Sequence, residues 1–282
     1  MAYYTVSKED GCWRIGSAEN VFSYLIEGQT AALLIDTGYG FGDLQKTVRA
    51  LTDKPLHIVN THGHCDHTGG NAQFSEPILL HPADWPLCRQ HNAPAFRQKS
   101  CRLARRSLNY ETGRTFNALP VPFSEAAYCA RGTGTLLPAQ DGQKIELGGV
   151  TLTLVATTGH TRGGISVWWP EKGLLFSGDA IGPFVWLFGP EADGRAPYLA
   201  MLQKIQQMPV RRLLTGHSPV PLSPGALPLY ARAAREAVYA AGQPFETPIF
   251  EGVPARVCAL DGKTMDDLFA PDFAAVVICQ DF

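Results

Sequence analysis

Thr61-His62-Gly63-His64-Cys65-Asp66-His67 places three imidazoles and a carboxylate in one short stretch, directly after the apolar run Leu56-His57-Ile58-Val59-Asn60. That run has the length and β-branched content of a buried strand, so the cluster leaves the strand's C-terminal end in a loop, a usual position for chemistry. Imidazole together with carboxylate suits a borderline cation such as Zn²⁺ and also accommodates Fe or Mn. The plain alternative is a solvated His-rich loop.

Three further segments count against that alternative. Thr151 to Ala156 alternates Thr with apolar residues, as a half-buried strand does, and runs into Thr157-Thr158-Gly159-His160-Thr161. Gly173-Leu174-Leu175-Phe176-Ser177-Gly178-Asp179 is a short apolar strand ending in Gly-Asp. Arg211-Arg212-Leu213-Leu214-Thr215-Gly216-His217 repeats the scheme with an imidazole. Four strand ends thus deliver ligand-type residues, and they hold His62, His64, His67, His160 and His217 of the chain's 8 His.

In this order, THGHCDHTGG, TTGHTRGG, FSGD and LLTGH, the chain resembles the metallo-β-lactamase superfamily of hydrolases from about residue 20 to about residue 240. The resemblance implies an α/β, four-layer αββα sandwich with two metal ions, Zn²⁺ or alternatively Fe or Mn. Carried over position by position, it implies that His62, His64 and His160 hold one metal, that Asp66, His67 and His217 hold the second, and that Asp179 bridges the two. The commonest subclass of true β-lactamases has Cys where this chain has Asp179, which disfavours penicillin hydrolysis. Flavodiiron proteins have Glu in place of His64, and persulfide dioxygenases use a single iron, whereas both ligand sets are complete here. The motif looks closest to the hydroxyacylglutathione hydrolases, which share the pattern over Thr61 to Asn71, although their glutathione-binding signature is not visible after Pro219.

A hydroxide held between two cations is available near neutral pH, and it can attack an acyl carbonyl or a phosphorus centre while the ions polarise the electrophile and stabilise the leaving group. Asp66 is then a candidate both for metal binding and for steering the nucleophile's proton as general acid/base. Each ligating imidazole should donate its second N–H to a partner. Asp36, at the end of Leu33-Leu34-Ile35-Asp36, is a candidate for that role or is an ordinary turn cap. The reading is a dinuclear zinc-dependent hydrolase of a small ester, thioester or lactone. The alternatives are a phosphodiesterase or nuclease of the same superfamily and an iron-dependent, persulfide dioxygenase-like enzyme.

The chain is 282 residues long with net charge −2, enough to bury a large core. It has no apolar stretch of membrane-spanning length and its first residues lack the features of a signal peptide, so the expectation is a cytoplasmic protein with no membrane partner. Its 7 Cys are odd in number and scattered, which argues against a disulfide framework. Cys65 lies between ligands and reads as a pocket-wall thiol rather than a ligand. His57 and His81 lie outside the metal set, His81 reading as a hydrogen-bonded core residue, and His91 reads as a surface residue.

Strands are expected at Val21–Glu27, Ala31–Asp36, Leu56–Asn60, Thr151–Ala156, Ile165–Pro170, Leu174–Ser177 and Arg212–Leu214. Helices are expected at Asp43–Leu51, Tyr198–Met208 and Leu227–Ala241. Residues 1–242 would form the metal-binding domain, with an insertion at about 85–137. Residues 243–282 would be a C-terminal β extension of the same domain, its runs Ala255–Leu260 and Ala274–Cys279 adding a hairpin to a sheet edge or making a homodimer contact. The insertion carries Arg89, Arg97, Lys99, Arg102, Arg105, Arg106 and Arg114 against Glu111. A helix would set Arg102, Arg105 and Arg106 on one face, as an electropositive rim for an anionic small-molecule substrate or as a solvated surface. The acidic balance of the whole chain disfavours nucleic acid as a partner. The apolar segment Ile181 to Pro190, read as a loop, is a candidate pocket wall or a packing element.

Overall fold

The structure is a computed structural model describing residues 3–109 and 112–280; Glu111 and both chain ends lie outside the described residues. The first half runs β1 (Thr5–Glu9), β2 (Cys12–Gly16), β3 (Phe22–Glu27), β4 (Ala32–Ile35), α1 (Leu44–Leu51), β5 (Leu56–Val59), the short helix α2 (Cys65–Thr68) and β6 (Ile78–Leu80). Then come α3 (Trp85–His91), α4 (Pro94–Ala104), the hairpin of β7 (Ser107–Asn109) and β8 (Arg114–Phe116), α5 (Glu125–Cys129) and β9 (Leu136–Pro138). The remainder is β10 (Lys144–Glu146), β11 (Thr151–Ala156), β12 (Ile165–Trp169), β13 (Leu174–Gly178), β14 (Phe184–Leu187), α6 (Arg195–Gln206), β15 (Arg212–Thr215), α7 (Leu227–Glu236), β16 (Gln243–Phe245), β17 (Ala255–Ala259) and β18 (Ala275–Ile278).

Two sheets form the centre, in the orders β1-β2-β3-β4-β5-β6-β9 and β10-β11-β12-β13-β15. Their facing sides interdigitate: Tyr24, Ile26, Leu33, Ile35 and Val59 share one core with Leu152, Leu154, Val167, Phe176 and Leu214. The Tyr24 and Phe176 rings meet edge to face at 5.1 Å. On the outer side of the first sheet, Leu25, Leu34 and Ile58 bury Leu44 and Val48 of α1. On the outer side of the second, Leu175 and Leu213 bury Met201, Leu202 and Ile205 of α6 and Tyr230 of α7. Strands covered on both faces need apolar residues at every position, which explains why Ala32–Ile35 and Leu174–Phe176 read as unbroken runs rather than alternations. The layers are α/β/β/α, the architecture expected from the sequence resemblance.

Each half contains a parallel crossover: α1 joins β4 to β5, and α6 lies between the parallel strands β13 and β15. Ligand loops follow the carboxyl ends of β5, β13 and β15, the general place for sites in such sheets. This topology brings together segments far apart in sequence.

Three expectations are corrected. Ile181–Pro190 is not a loop throughout, since it holds β14, which pairs in parallel with β18 in a further sheet of order β14-β18-β17-β16. The C-terminal runs do pair antiparallel, but their neighbour is this internal strand, and Val276 and Ile278 of β18 sit in the same core as Leu175 and Leu202. The Arg segment is not carried on one helix throughout, because α4 ends at Ala104 and leaves Arg105 and Arg106 in the turn beyond it. Arg105 pairs with Glu125, and Arg97 is 1% exposed, its guanidinium donating to the carbonyls of Asn92, Gly69 and Gly132. Arg97 therefore ties the insertion to the end of α2. The hairpin β1–β2 was not read from the sequence; its signal is Asp10-Gly11, both at positive φ, a turn that joins two strands tightly.

Candidate metal centre

Two groups of donor atoms form on one edge of the sandwich. His62, His64 and His160 each present one ring nitrogen, and the three lie within 4.8 Å of one another. His64 Nδ1 is 2.9 Å from His62 Nε2 and 3.1 Å from His160 Nε2. The second group is Asp66, His67, Asp179 and His217, again with donor atoms within 4.8 Å of one another. His217 Nε2 lies 3.1 Å from Asp179 Oδ2 and 3.3 Å from Asp66 Oδ2, and His67 Nε2 lies 3.4 Å from Asp179 Oδ1. The structure thus brings together all seven residues expected from the sequence.

The backbone that delivers them is specialised. Asp36 sits at φ +60°, a conformation that Asp tolerates better than most non-glycine residues, and from there its carboxylate accepts from Thr61 N at 2.7 Å and Thr61 Oγ1 at 2.8 Å. The same carboxylate accepts from His67 Nδ1 at 2.8 Å. Of the two readings of Asp36, partner of an imidazole in the donor groups is the one observed. Gly216, just before His217, is needed for space: a Cβ there would lie 2.5 Å from the His67 ring and 2.6 Å from Asp179 Oδ1.

The other imidazoles are also tied back through the ring nitrogen that faces away from the cluster. His62 Nδ1 is 3.1 Å from Thr61 Oγ1, His160 Nδ1 donates to Trp186 O at 2.7 Å, and His217 Nδ1 is 3.3 Å from Asn20 O. Such partners fix the tautomer and leave the remaining nitrogen's lone pair for a ligand bond. His64 is turned the other way, with Nδ1 in the cluster and Nε2 3.5 Å from Glu191 Oε1.

Electrostatics divide the two groups. Burial, reinforced by neighbouring imidazoles, holds His62 well below the usual imidazole range and lowers His160 to about 4, so these two members of the first group are neutral nitrogen donors. In the second group burial also opposes charge, but Asp179, Asp36 and Asp66 outweigh it and hold His67 protonated well above the usual range. Asp179 and Asp66 likewise raise His217 to about 10. Asp66 and Asp179 are held ionised despite burial, chiefly by His67 and His217. A set of carboxylates and imidazoles that otherwise gathers protons is one that a dication satisfies. His67 Nε2 and Asp179 Oδ1 are buried without a hydrogen-bond partner and face each other, so the residues present fit a metal ion there.

Several residues that sequence reasoning misplaced or overlooked support the centre. His91, expected on the surface, is 2% exposed and lies between the His64 ring, stacked at 5.2 Å, and the Phe96 ring, stacked at 3.9 Å. Asp84, 1% exposed, was not singled out, and no motif marks it. Its Oδ2 accepts from Gly63 N and Thr161 Oγ1 and its Oδ1 from Gly163 N, so one side chain fastens the loop of His62 and His64 to the loop of His160. Cys65 is a buried thiol with Ser100 Oγ at 3.8 Å, its pKa pushed up by burial, and it stays outside both donor groups as expected. His57 is exposed, and His81 accepts from Ala83 N; neither joins the donor groups.

Comparison with known proteins gives concordant results. The model of a family described as the metallo-beta-lactamase superfamily matches residues 16–82 and 110–217. The chain is 28% identical over 204 residues to the Beta-lactamase-like protein 2 homolog of Caenorhabditis elegans, covering 70% of this chain but only 56% of that protein. It is 29% identical over 217 residues to a Gallus gallus protein named Acyl-coenzyme A thioesterase MBLAC2, covering 72% of this chain and 73% of the relative. Among solved structures, a metallo-beta-lactamase from Pontibacter korlensis superposes with a TM-score of 0.57 at 19% identity, covering 83% of this chain and 100% of that one, a likeness of fold.

Proposed function

The chain belongs to the metallo-β-lactamase superfamily and is a metal-dependent hydrolase, and from that premise we propose that it cleaves a thioester with an apolar acyl group at a pair of zinc ions. The observation that carries the proposal is the pair of converging donor groups beside an aromatic wall. Three converging imidazoles suit zinc at the first group, and the mixed imidazole and carboxylate set suits it at the second, with Asp179 the candidate bridge; Fe or Mn are accommodated by the same donors. When bound, the ions supply Lewis acidity and make hydroxide available near neutral pH.

The chain's own residues prepare the rest. Asp36 and the Trp186 carbonyl lock the tautomers of His67 and His160, and Asp84 keeps the two loops in register. Asp66, whose Oδ2 lies 3.3 Å from His217 Nε2 within the second donor group, is the candidate to take the proton released as water attacks the carbonyl carbon. Along the same edge Phe250 faces His64 at 6.0 Å between centroids and packs with Phe188 at 5.3 Å and Trp186 at 6.2 Å. Phe250 and Trp186, half-exposed over the buried Phe188, would provide an apolar surface for an acyl chain whose carbonyl lies at the donor groups. The likeness to a named acyl-CoA thioesterase and the sequence motif shared with hydroxyacylglutathione hydrolases both favour a thioester. The phosphodiester alternative drew on a basic rim, and Arg97 and Arg105 are engaged elsewhere.

The test is a panel of initial rates with zinc-loaded protein on apolar acyl-CoAs, S-lactoylglutathione and a bis-aryl phosphodiester. Fastest turnover of the apolar acyl-CoAs supports the proposal; preferential cleavage of the phosphodiester, or no thioester turnover, overturns it.

A further inference from the structure

We propose that the insertion holds a separate, sulfur-rich zinc-type site formed by Cys101, Glu125 and Cys129. Nothing in the hydrolytic centre uses these residues. One Cys101 sulfur, one Cys129 sulfur and one Glu125 carboxylate oxygen lie within 4.8 Å of one another. Glu125 and Cys129 are four residues apart on α5, so they stand one turn apart on one helix face, a spacing suited to chelation. Cys101 comes from α4, where it shares a small core with Ala104, Leu119 and Tyr128. Cys101 is buried, while Glu125 and Cys129 are half-exposed, which leaves a route for an ion and a fourth, solvent-filled position. Two sulfurs and one oxygen with an open position match tetrahedral zinc or cadmium and are a poor match for magnesium or calcium.

The charge balance is explicit. A divalent cation binds two thiolates and one carboxylate, each thiol releasing one proton to solvent, so the bound assembly carries one net negative charge. Arg105, paired with Glu125, supplies the neutralising positive charge. Without metal, burial and the Glu125 carboxylate push the Cys101 thiol up to about 12, and burial raises Cys129 as well, so both protons must leave on binding. Affinity should therefore rise about 100-fold per pH unit across the neutral range. The ion would clip α4 to α5. Since α4 also carries Phe96 against His91 and Lys99 toward the Ile249 carbonyl, the clip would steady the insertion beside the aromatic wall.

The experiment titrates cadmium into the full chain carrying two equivalents of zinc, enough for the His and Asp donor groups alone, and follows thiolate-to-cadmium charge-transfer absorbance, which those groups cannot produce. The inference predicts a band saturating at one equivalent, lost in Cys129→Ser with thioester turnover within about twofold of wild type, and retained in Cys65→Ser. It is overturned by absence of the band, by a band that persists in Cys129→Ser, by one that vanishes in Cys65→Ser, or by a Cys101–Cys129 disulfide in protein prepared without oxidant. The readout needs no hydrolysis, so it stands or fails independently of the thioesterase proposal.

Discussion

Asp36 shows how a single residue settles a site. Its carboxylate reaches Thr61 and His67 only because the backbone takes a positive φ, and it orients His67 directly and His62 through the Thr61 hydroxyl. Removing such a partner typically costs roughly 10–100-fold in metal affinity or activity. Asp36→Ala should show that loss in a competitive zinc titration while the far-ultraviolet circular dichroism stays native. His91 makes a different prediction. Burial, then the neighbouring His64, lowers its pKa to about 3, so it is neutral in the folded chain. The unfolded chain binds a proton there near pH 6.5, so the folded state loses this contribution as pH falls from about 6.5 toward 3. At one pKa unit per 1.4 kcal/mol the term reaches at most roughly 4–5 kcal/mol at the acid end. His91→Phe, which keeps a ring between His64 and Phe96, should flatten the decline of stability between pH 7 and pH 4 in urea unfolding compared with wild type.

At the scale of elements, legibility followed periodicity and ligand chemistry. The strands ending at Asn60, Ala156, Ser177 and Leu214 were readable because apolar runs give way to short polar or Gly stretches that lead within a few residues to His or Asp, and the observed elements agree to within a residue or two. The strand at Phe184–Leu187 was not readable, because its partner lies about ninety residues later and its Gly and Pro flanks resemble those of a loop. Burial of His91, Arg97 and Asp84 was hidden for the same reason, since each is buried by segments distant in sequence. Polar residues give no local sign that a carbonyl or an N–H from elsewhere will satisfy them. The aromatic wall is likewise assembled from β14 and the tail that follows α7. Phe250→Ala should raise KM several-fold for a long apolar acyl-CoA and leave acetyl-CoA nearly unchanged, as steady-state kinetics across acyl lengths would show; equal effects on both would place Phe250 outside the acyl path.

For the molecule as a whole, the sandwich brings four loops to one edge by two parallel crossovers, and the seven donor residues depend on both halves being packed together. The apolar core beneath them packs through other residues and Asp179 is only half-buried, so replacing Asp179 should spare the fold. No helix among the described residues is long and apolar enough to cross a membrane. The most direct test of the account is the rate of apolar acyl-CoA hydrolysis as metal is stripped by a chelator and restored with zinc, in wild type and in Asp179→Ala. The account predicts that wild type loses turnover on chelation and regains it with zinc, while Asp179→Ala stays folded and inactive throughout. A wild-type rate untouched by chelation, or an Asp179→Ala variant that keeps most of its activity, would contradict it.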